Sequence, residues 1–274
     1  MSYNQTEKSL DSRQPVRLYE FSYGAFKYAY NTSAINITWN NQVFKSLLGG
    51  VSDNGIIRSD GGNSDAFQVI APRTIEVAAL YEGVAPTKPV ILKVYDSHLG
   101  ESEAIQVWQG EIVTMNFSAI DRVKITAIPS ESATNKLGAT LGYTRQCSAR
   151  LYDKKCKVNR ELYKLTGSIL QLDLRAIQVI QAATKQDSWF TGGYIEYGIG
   201  SGELEVRGIE KHEGDTLTLL GGTSGLKVGL EINFYAGCNL IPDTCINKFN
   251  NILNFRGTPY LKGKSLFDGT PVGW

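Results

Sequence analysis

Four cysteines arranged as two close pairs constrain this chain more than any other feature of it. Cys147 and Cys156 are separated by eight residues and Cys238 and Cys245 by six, with 81 cysteine-free residues between the pairs. Two pairs that flank a long insertion bring four sulfurs to one point if the ends of the insertion meet. A tetrahedral sulfur site of that kind suits zinc or an iron–sulfur cluster. None of the spacings matches the two-residue gap of zinc ribbons or bacterial ferredoxins. The residues alone therefore leave buried unconnected thiols and disulfides open as alternatives.

At 274 residues the chain is long enough for one large or two ordinary domains. Its 28 basic and 27 acidic residues give a formal net charge of +1. No block of like charge stands out, so there is no footprint for nucleic acid or an anionic membrane. The start, Met1 to Leu18, has no apolar core of a secretory signal, and no apolar run approaches the roughly 18 residues of a membrane span. The expectation is a soluble protein made in the cytosol, where reducing conditions disfavour disulfides. Only two histidines are present, His98 and His212, both expected in solvated turns. A cysteine hydrolase needs a histidine base beside its thiolate, so this scarcity argues against an enzyme. The acidic group Asp96, Glu101 and Glu103 near His98 reads as an ordinary turn. Gly61-Gly62 and Gly192-Gly193 lack the spacing of a phosphate loop.

The fold class expected is mainly β, in two parts. Period-two patterns predict strands at Val16–Ser22, Ala25–Thr32, Ile35–Trp39, Gln42–Phe44, Thr74–Tyr81, Val90–Tyr95, Ala104–Gln109, Glu111–Phe117 and Arg122–Ile128. Asn40-Asn41 supplies a two-residue hairpin turn, since asparagine tolerates positive φ. Residues 51–65 form the longest polar interruption. These strands make an N-terminal β-sandwich or barrel-like domain, residues 1–130, closed by Pro129 and a short helix from Ser130 to Leu137. Residues 131–274 form a cysteine-rich domain with a β insertion at about 165–236. Its strands are expected at Leu165–Ile180, Tyr194–Tyr197, Glu203–Ile209, Thr216–Leu220 and Glu231–Tyr235. The tail from Asn254, with Pro259 and Pro271, reads as extended and surface-wrapping.

Around the second pair, Pro242-Asp243-Thr244-Cys245 resembles a helix start with Asp243 as its cap. Ile246, Phe249 and Leu253 fall near one helical face. A thiolate in the first turn gains from free amides and the dipole, which predicts a lowered pKa for Cys245. The plain alternative is a small buried residue on an amphipathic helix. Gly237 permits close backbone approach beside Cys238.

The segment Gly142-Tyr-Thr-Arg-Gln-Cys147-Ser-Ala-Arg-Leu-Tyr-Asp153-Lys-Lys-Cys156-Lys-Val-Asn159 is similar to a known phage family. So is the run from Gly237-Cys238 through Cys245, Lys248-Phe249-Asn250-Asn251 and Asn254-Phe255 to Pro259. Trp189-Phe190-Thr-Gly192-Gly193 and Leu217–Leu219 sit where that pattern has an aromatic-Gly-Gly strand and a later apolar strand. The chain resembles the cysteine-bearing tail-tip hub (minor tail) proteins of long-tailed phages and gene transfer agents, a group that includes the tail-tip protein of phage lambda. The resemblance runs from about residue 142 to 260; residues 1–130 carry only a compatible composition. Two positions depart from the pattern: Lys157 stands where glycine is usual, and Ser148-Ala149-Arg150 where a basic-His stretch is usual.

The resemblance implies a structural, non-enzymatic hub at the virion tail tip, assembled in the bacterial cytoplasm, as a homotrimer. Its implied partners are the distal tail adaptor, a central fibre-bearing tip protein, the tape measure and a cell-wall peptidase. It also implies that Cys147, Cys156, Cys238 and Cys245 ligate an iron–sulfur cluster of the 4Fe–4S type, with zinc as the alternative. From the residues themselves, the competing function is a soluble carbohydrate-binding β-module stabilised by zinc or disulfides. Trp39, Trp108, Trp189 and Tyr260 would supply its sugar platform.

Overall fold

The computed structural model describes residues 7–8, 14–57, 66–130 and 142–261. The chain divides into two compact units, residues 1–137 with 199–203 and residues 138–198 with 204–274. The protein is mainly β: each unit is organised on one large sheet, and one of the two sheets curls into a half-barrel.

The first unit contains β1 (Pro15–Tyr23), β2 (Phe26–Asn31), β3 (Ile37–Trp39), β4 (Gln42–Ser46), β5 (Ser52–Asp53), β6 (Phe67–Pro72), β7 (Ile91–His98), β8 (Ala104–Asn116) and β9 (Arg122–Pro129). They pair in the order β3-β4-β2-β1-β7-β8-β9-β6-β5. Asn40 and Asn41 both take positive φ, 48° and 59°, and turn β3 into β4 as their side chains allow. β1 is buried on both faces. Tyr19, Phe21 and Tyr23 enter a cluster with Val69, Leu92 and Ile125, whereas Val16 and Leu18 meet Phe44 and Tyr95 on the other side. A strand covered twice is expected to be apolar on both faces, and here Val16, Leu18, Tyr19, Phe21 and Tyr23 are so, although Arg17, Glu20 and Ser22 interrupt the run.

Three expectations for this unit are corrected. Residues 76–81 form a 3-10 turn, not a strand: Val77 and Ala78 are buried consecutively, and the Ala78 amide bonds the Ile75 carbonyl at 3.0 Å. Burial at neighbouring positions defeats a period of two and suits a helical turn. The strands expected at 104–109 and 111–117 are instead the single long β8, which ends at Asn116, since Gly110 does not break it. That glycine lies where a Cβ would come within 2.0 Å of the Ile128 carbonyl oxygen and 2.4 Å of the Trp108 ring. Gly110→Ala is therefore expected to destabilise this unit by roughly 1–3 kcal/mol, seen as an earlier denaturant midpoint. β5 and β6, finally, lie where the sequence predicts no strand, and β5 falls wholly within the loop expected at 51–65. Residues 58–65 of that loop and residues 131–137 of the expected helix lie outside the described residues.

The second unit holds β10 (Lys164–Ser168), β11 (Gln171–Leu172), β12 (Ala176–Gln178), β13 (Tyr194–Gly200), β14 (Glu203–Glu213), β15 (Thr216–Leu219) and β16 (Glu231–Tyr235), paired in the order β10-β16-β13-β14-β15-β12-β11. The long strand expected at 165–180 is instead β10, β11 and β12 in succession. Phe190, Ile195, Leu217, Leu219, Ile232 and Phe234 are buried here.

All seven strands lie between Cys156 and Cys238, and the first of them pairs with the last. Lys164 stands opposite Tyr235 and Ser168 opposite Glu231. Chain entry and exit are thereby held side by side at one end of the sheet, leaving the two cysteine pairs next to each other. That pairing meets the condition under which four sulfurs could gather.

Candidate metal centre

All four cysteines line one pocket. Cys245 is buried and the other three are partly so, and all are free thiols. Leu151, Val158, Leu240, Ile241, Phe249 and Phe255 make the rest of the wall largely apolar. Each cysteine is placed by a different local device.

Cys156 ends a turn shaped by Asp153. The Asp153 carboxylate accepts from the amides of Cys156 (2.6 Å), Lys155 (2.8 Å) and Arg150 (3.3 Å). These donors hold the Asp153 carboxyl below its ordinary range, the Cys156 amide contributing most. Tyr152, at φ 68°, turns its ring away from the turn and donates its hydroxyl to the Ala236 carbonyl at 2.7 Å. Its ring meets Tyr194, Tyr235 and Phe249 edge-on, and burial pushes its pKa up. The Leu-Tyr-Asp sequence thus has a job for each residue: Leu151 lines the pocket, Tyr152 anchors the turn beside Cys238, and Asp153 shapes it.

Cys238 follows β16 where backbones crowd together. A Cβ on Gly237 would sit 1.9 Å from the Thr191 carbonyl oxygen, and one on Gly193 would sit 2.1 Å from that of Tyr235. Only glycine allows this approach. The junction is fastened by Lys248, whose ammonium donates to the Gly237 carbonyl at 2.7 Å and to that of Trp189, and lies 4.5 Å from the Trp189 ring centre. Burial pushes the Lys248 amine down to about 8, against the opposing influence of Cys238.

Cys245 lies in helix α1 (Pro242–Asn247), with Pro242 in its first turn and Asn250, at φ 46°, just beyond its end. Asp243 is not the cap: Ile241 occupies that position, with no side-chain bond. The helix also ends too early to align the expected apolar face. Phe249 is buried, but Ile246 is exposed and Leu253 is 96% exposed. The Cys245 thiol is raised rather than lowered, first by burial and then by Cys238, Cys147 and Cys156. A six-residue helix provides too little dipole to offset that desolvation. Cys238 is likewise raised by burial, with Cys156 and Cys147 adding to the effect.

Cys147 is held by the tail. Its amide bonds the Leu240 carbonyl at 2.8 Å, and its sulfur accepts the Arg256 amide at 3.3 Å. Thr258 N bonds Thr144 O at 2.8 Å, so residues 256–258 run beside 144–148 and take part in the site rather than merely covering a surface. Leu240 N donates to the Cys238 sulfur at 3.3 Å. Neither amide is signalled by residue type, since any residue but proline carries one.

The site thus offers four sulfurs, two of them accepting peptide N–H bonds, in a mostly apolar pocket. That donor set fits a thiolate-ligated iron–sulfur group, whose sulfurs accept such bonds. Among the described residues, no three His, Cys, Asp or Glu side chains are grouped closely enough to hold a metal ion. Neither histidine lines the pocket. Both are buried in strands, contrary to the solvated turns expected. His98 in β7 pairs its Nε2 with Glu7 at 2.9 Å, and His212 in β14 sets its Nε2 against the carbonyls of Gly214 (2.9 Å) and Ala182 (3.2 Å). Asp96 is bound to Arg17 at 2.6 Å.

The fold has a solved counterpart. A chain described as "Virion of native gene transfer agent (GTA) particle" superposes with a TM-score of 0.77, covering 99% of this chain and 96% of that one at 16% identity. At that identity the likeness establishes fold alone. Residues 188–265 match the family described as "Phage conserved hypothetical protein BR0599", a span that includes Cys238, Cys245 and the glycine junction. No curated protein matches the chain.

The aromatic residues expected to bind sugar are divided between the two units. Trp39 packs 4.9 Å from Tyr95 and Trp108 4.8 Å from Phe67. Trp189 has Lys248 and Lys185 over its ring, and Tyr260 is exposed. No helix of the described residues is long and apolar enough to cross a membrane.

Proposed function

We propose that this chain is a structural, non-enzymatic component of a phage or phage-like virion, acting as a hub at the tail tip. Its four cysteines would hold an iron–sulfur cluster that locks the second unit. The observation that carries this reading is the gathering of Cys147, Cys156, Cys238 and Cys245 into one pocket by the β10–β16 pairing. The similarity to a chain of a gene transfer agent virion over nearly the full length supports the virion assignment. The family match over 188–265 supports the phage origin.

When bound, the group would supply a covalent junction between four chain segments. The residues that would hold it are the four cysteines; the Leu240 and Arg256 amides would meet its ligand sulfurs. A hub under mechanical load gains from such a junction, because loops that would otherwise cost entropy to close are fixed. In the assembly we propose a homotrimer between the distal adaptor and the fibre-bearing tip protein.

Anaerobic purification of the full chain tests the site. Brown protein with broad absorbance near ~400 nm, carrying iron and acid-labile sulfide, is the expected result. Colourless protein containing zinc would replace the cluster by the alternative ion, and protein with neither metal would overturn the site. Labelling the chain in purified particles and locating it by electron microscopy tests the position. Signal away from the tail tip would refute the hub.

A further inference from the structure

We infer that Asn251 is the positioning residue that ties the two cysteine pairs together. Its side-chain amide donates to the Cys156 carbonyl at 2.6 Å and lies 3.8 Å from the Cys156 sulfur. Its backbone faces the other pair: Asn251 N donates to the Cys245 carbonyl at 2.9 Å, and the Cys245 thiol lies 3.3 Å from the Asn251 carbonyl oxygen. One residue therefore holds Cys156 with its side chain and Cys245 with its main chain, across 95 residues of sequence on one side and six on the other.

The amide orientation is set by a neighbour. Asn254 donates its Nδ2 to Asn251 Oδ1 at 2.7 Å, which leaves the Asn251 NH2 facing Cys156. An amide with its oxygen engaged in this way cannot flip without losing both bonds. Asn251 is also set up by the end of α1, because the positive φ of Asn250 turns the chain there. An aspartate of the same size would face the Cys156 carbonyl and sulfur with an acceptor in place of a donor. A leucine or alanine would remove the bond and leave the Cys156 carbonyl without that partner.

The test has two arms, and only the second rests on the iron–sulfur reading. In metal-free, reduced full-length protein, iodoacetamide labelling of each cysteine is followed by mass spectrometry. Asn251→Ala is expected to speed Cys156 labelling about tenfold while Cys147 changes by less than about threefold, with Asn254→Ala between the two. Equal labelling of Cys156 in Asn251→Ala and the parent, with an unchanged circular dichroism spectrum, overturns the inference. Uniform acceleration of all four cysteines, which a mere loss of folding produces, also counts against it. In protein reconstituted with ferrous iron and sulfide, the midpoint potential is expected to fall in the order parent, Asn251→Ala, Asn251→Asp, because donors near a ligand sulfur favour the reduced state and an added anion opposes it. A potential unchanged across the series contradicts a role toward the sulfurs. Should the parent take up no iron, the cluster reading fails and the labelling arm still decides the role of Asn251.

Discussion

On the proposed iron–sulfur reading, Cys238→Ser is expected to abolish iron and sulfide binding and to lower the melting temperature of the second unit by roughly 15 °C relative to the loaded parent. The magnitude follows from the length of chain that the junction would close. A cross-link spanning 81 intervening residues removes on the order of 4 kcal/mol of loop entropy from the unfolded chain, by analogy with a disulfide. For a unit of this size, each kcal/mol moves the transition by roughly 4 °C. Serine retains the shape of the side chain and can accept from the Leu240 amide, so the metal-free parent and the variant should melt close together. Calorimetry of loaded parent, stripped parent and variant separates the cases. A loaded parent that melts with the variant would show that the thiols carry no stabilising group.

Gly237→Ala is the second large effect, and it requires no metal. The added methyl would lie 1.9 Å from Thr191 O, 2.3 Å from Gly193 N and 2.5 Å from Thr191 C, all backbone atoms that cannot rotate aside. Relief demands that the strand leading to Cys238 separate from the Trp189–Gly193 turn, which also pulls the Gly237 carbonyl from Lys248. Overpacking of this kind costs ~3 kcal/mol or more, and a charged donor stripped of its acceptor adds to it. Loss of soluble second unit, or a denaturant midpoint well below that of the parent, is the expected outcome. Gly198→Ala serves as the control, because a Cβ there meets no atom within 4 Å. Similar stability of the two variants would show that the junction is not close-packed.

Local rules read much of the β framework correctly, and the misses have physical causes. The Asn40-Asn41 hairpin was legible because two adjacent positive-φ residues are needed and asparagine supplies them. Gly110 misled because glycine punctuates turns more often than it makes room for a neighbouring carbonyl; only the paired strand reveals the second use. The histidines misled similarly, since Asp96-Ser97-His98 and Glu210-Lys211-His212 look polar while both rings are carried inward by strands longer than their apolar cores. At the candidate site the sulfurs were legible and their surroundings were not. Arg256 and Leu240 contribute main-chain amides, which leave no trace in a side-chain pattern. The raised Cys245 thiol depends on burial by residues distant in sequence.

The stem formed by Lys164–Ser168 and Glu231–Tyr235 has a consequence for how such a chain can diversify. Of the chain beyond the stem, the Trp189–Gly193 turn reaches back to the base, where it packs on Gly237 and Lys248. Only stretches that touch neither that turn nor the stem can therefore change in length while the knot at the base keeps its shape.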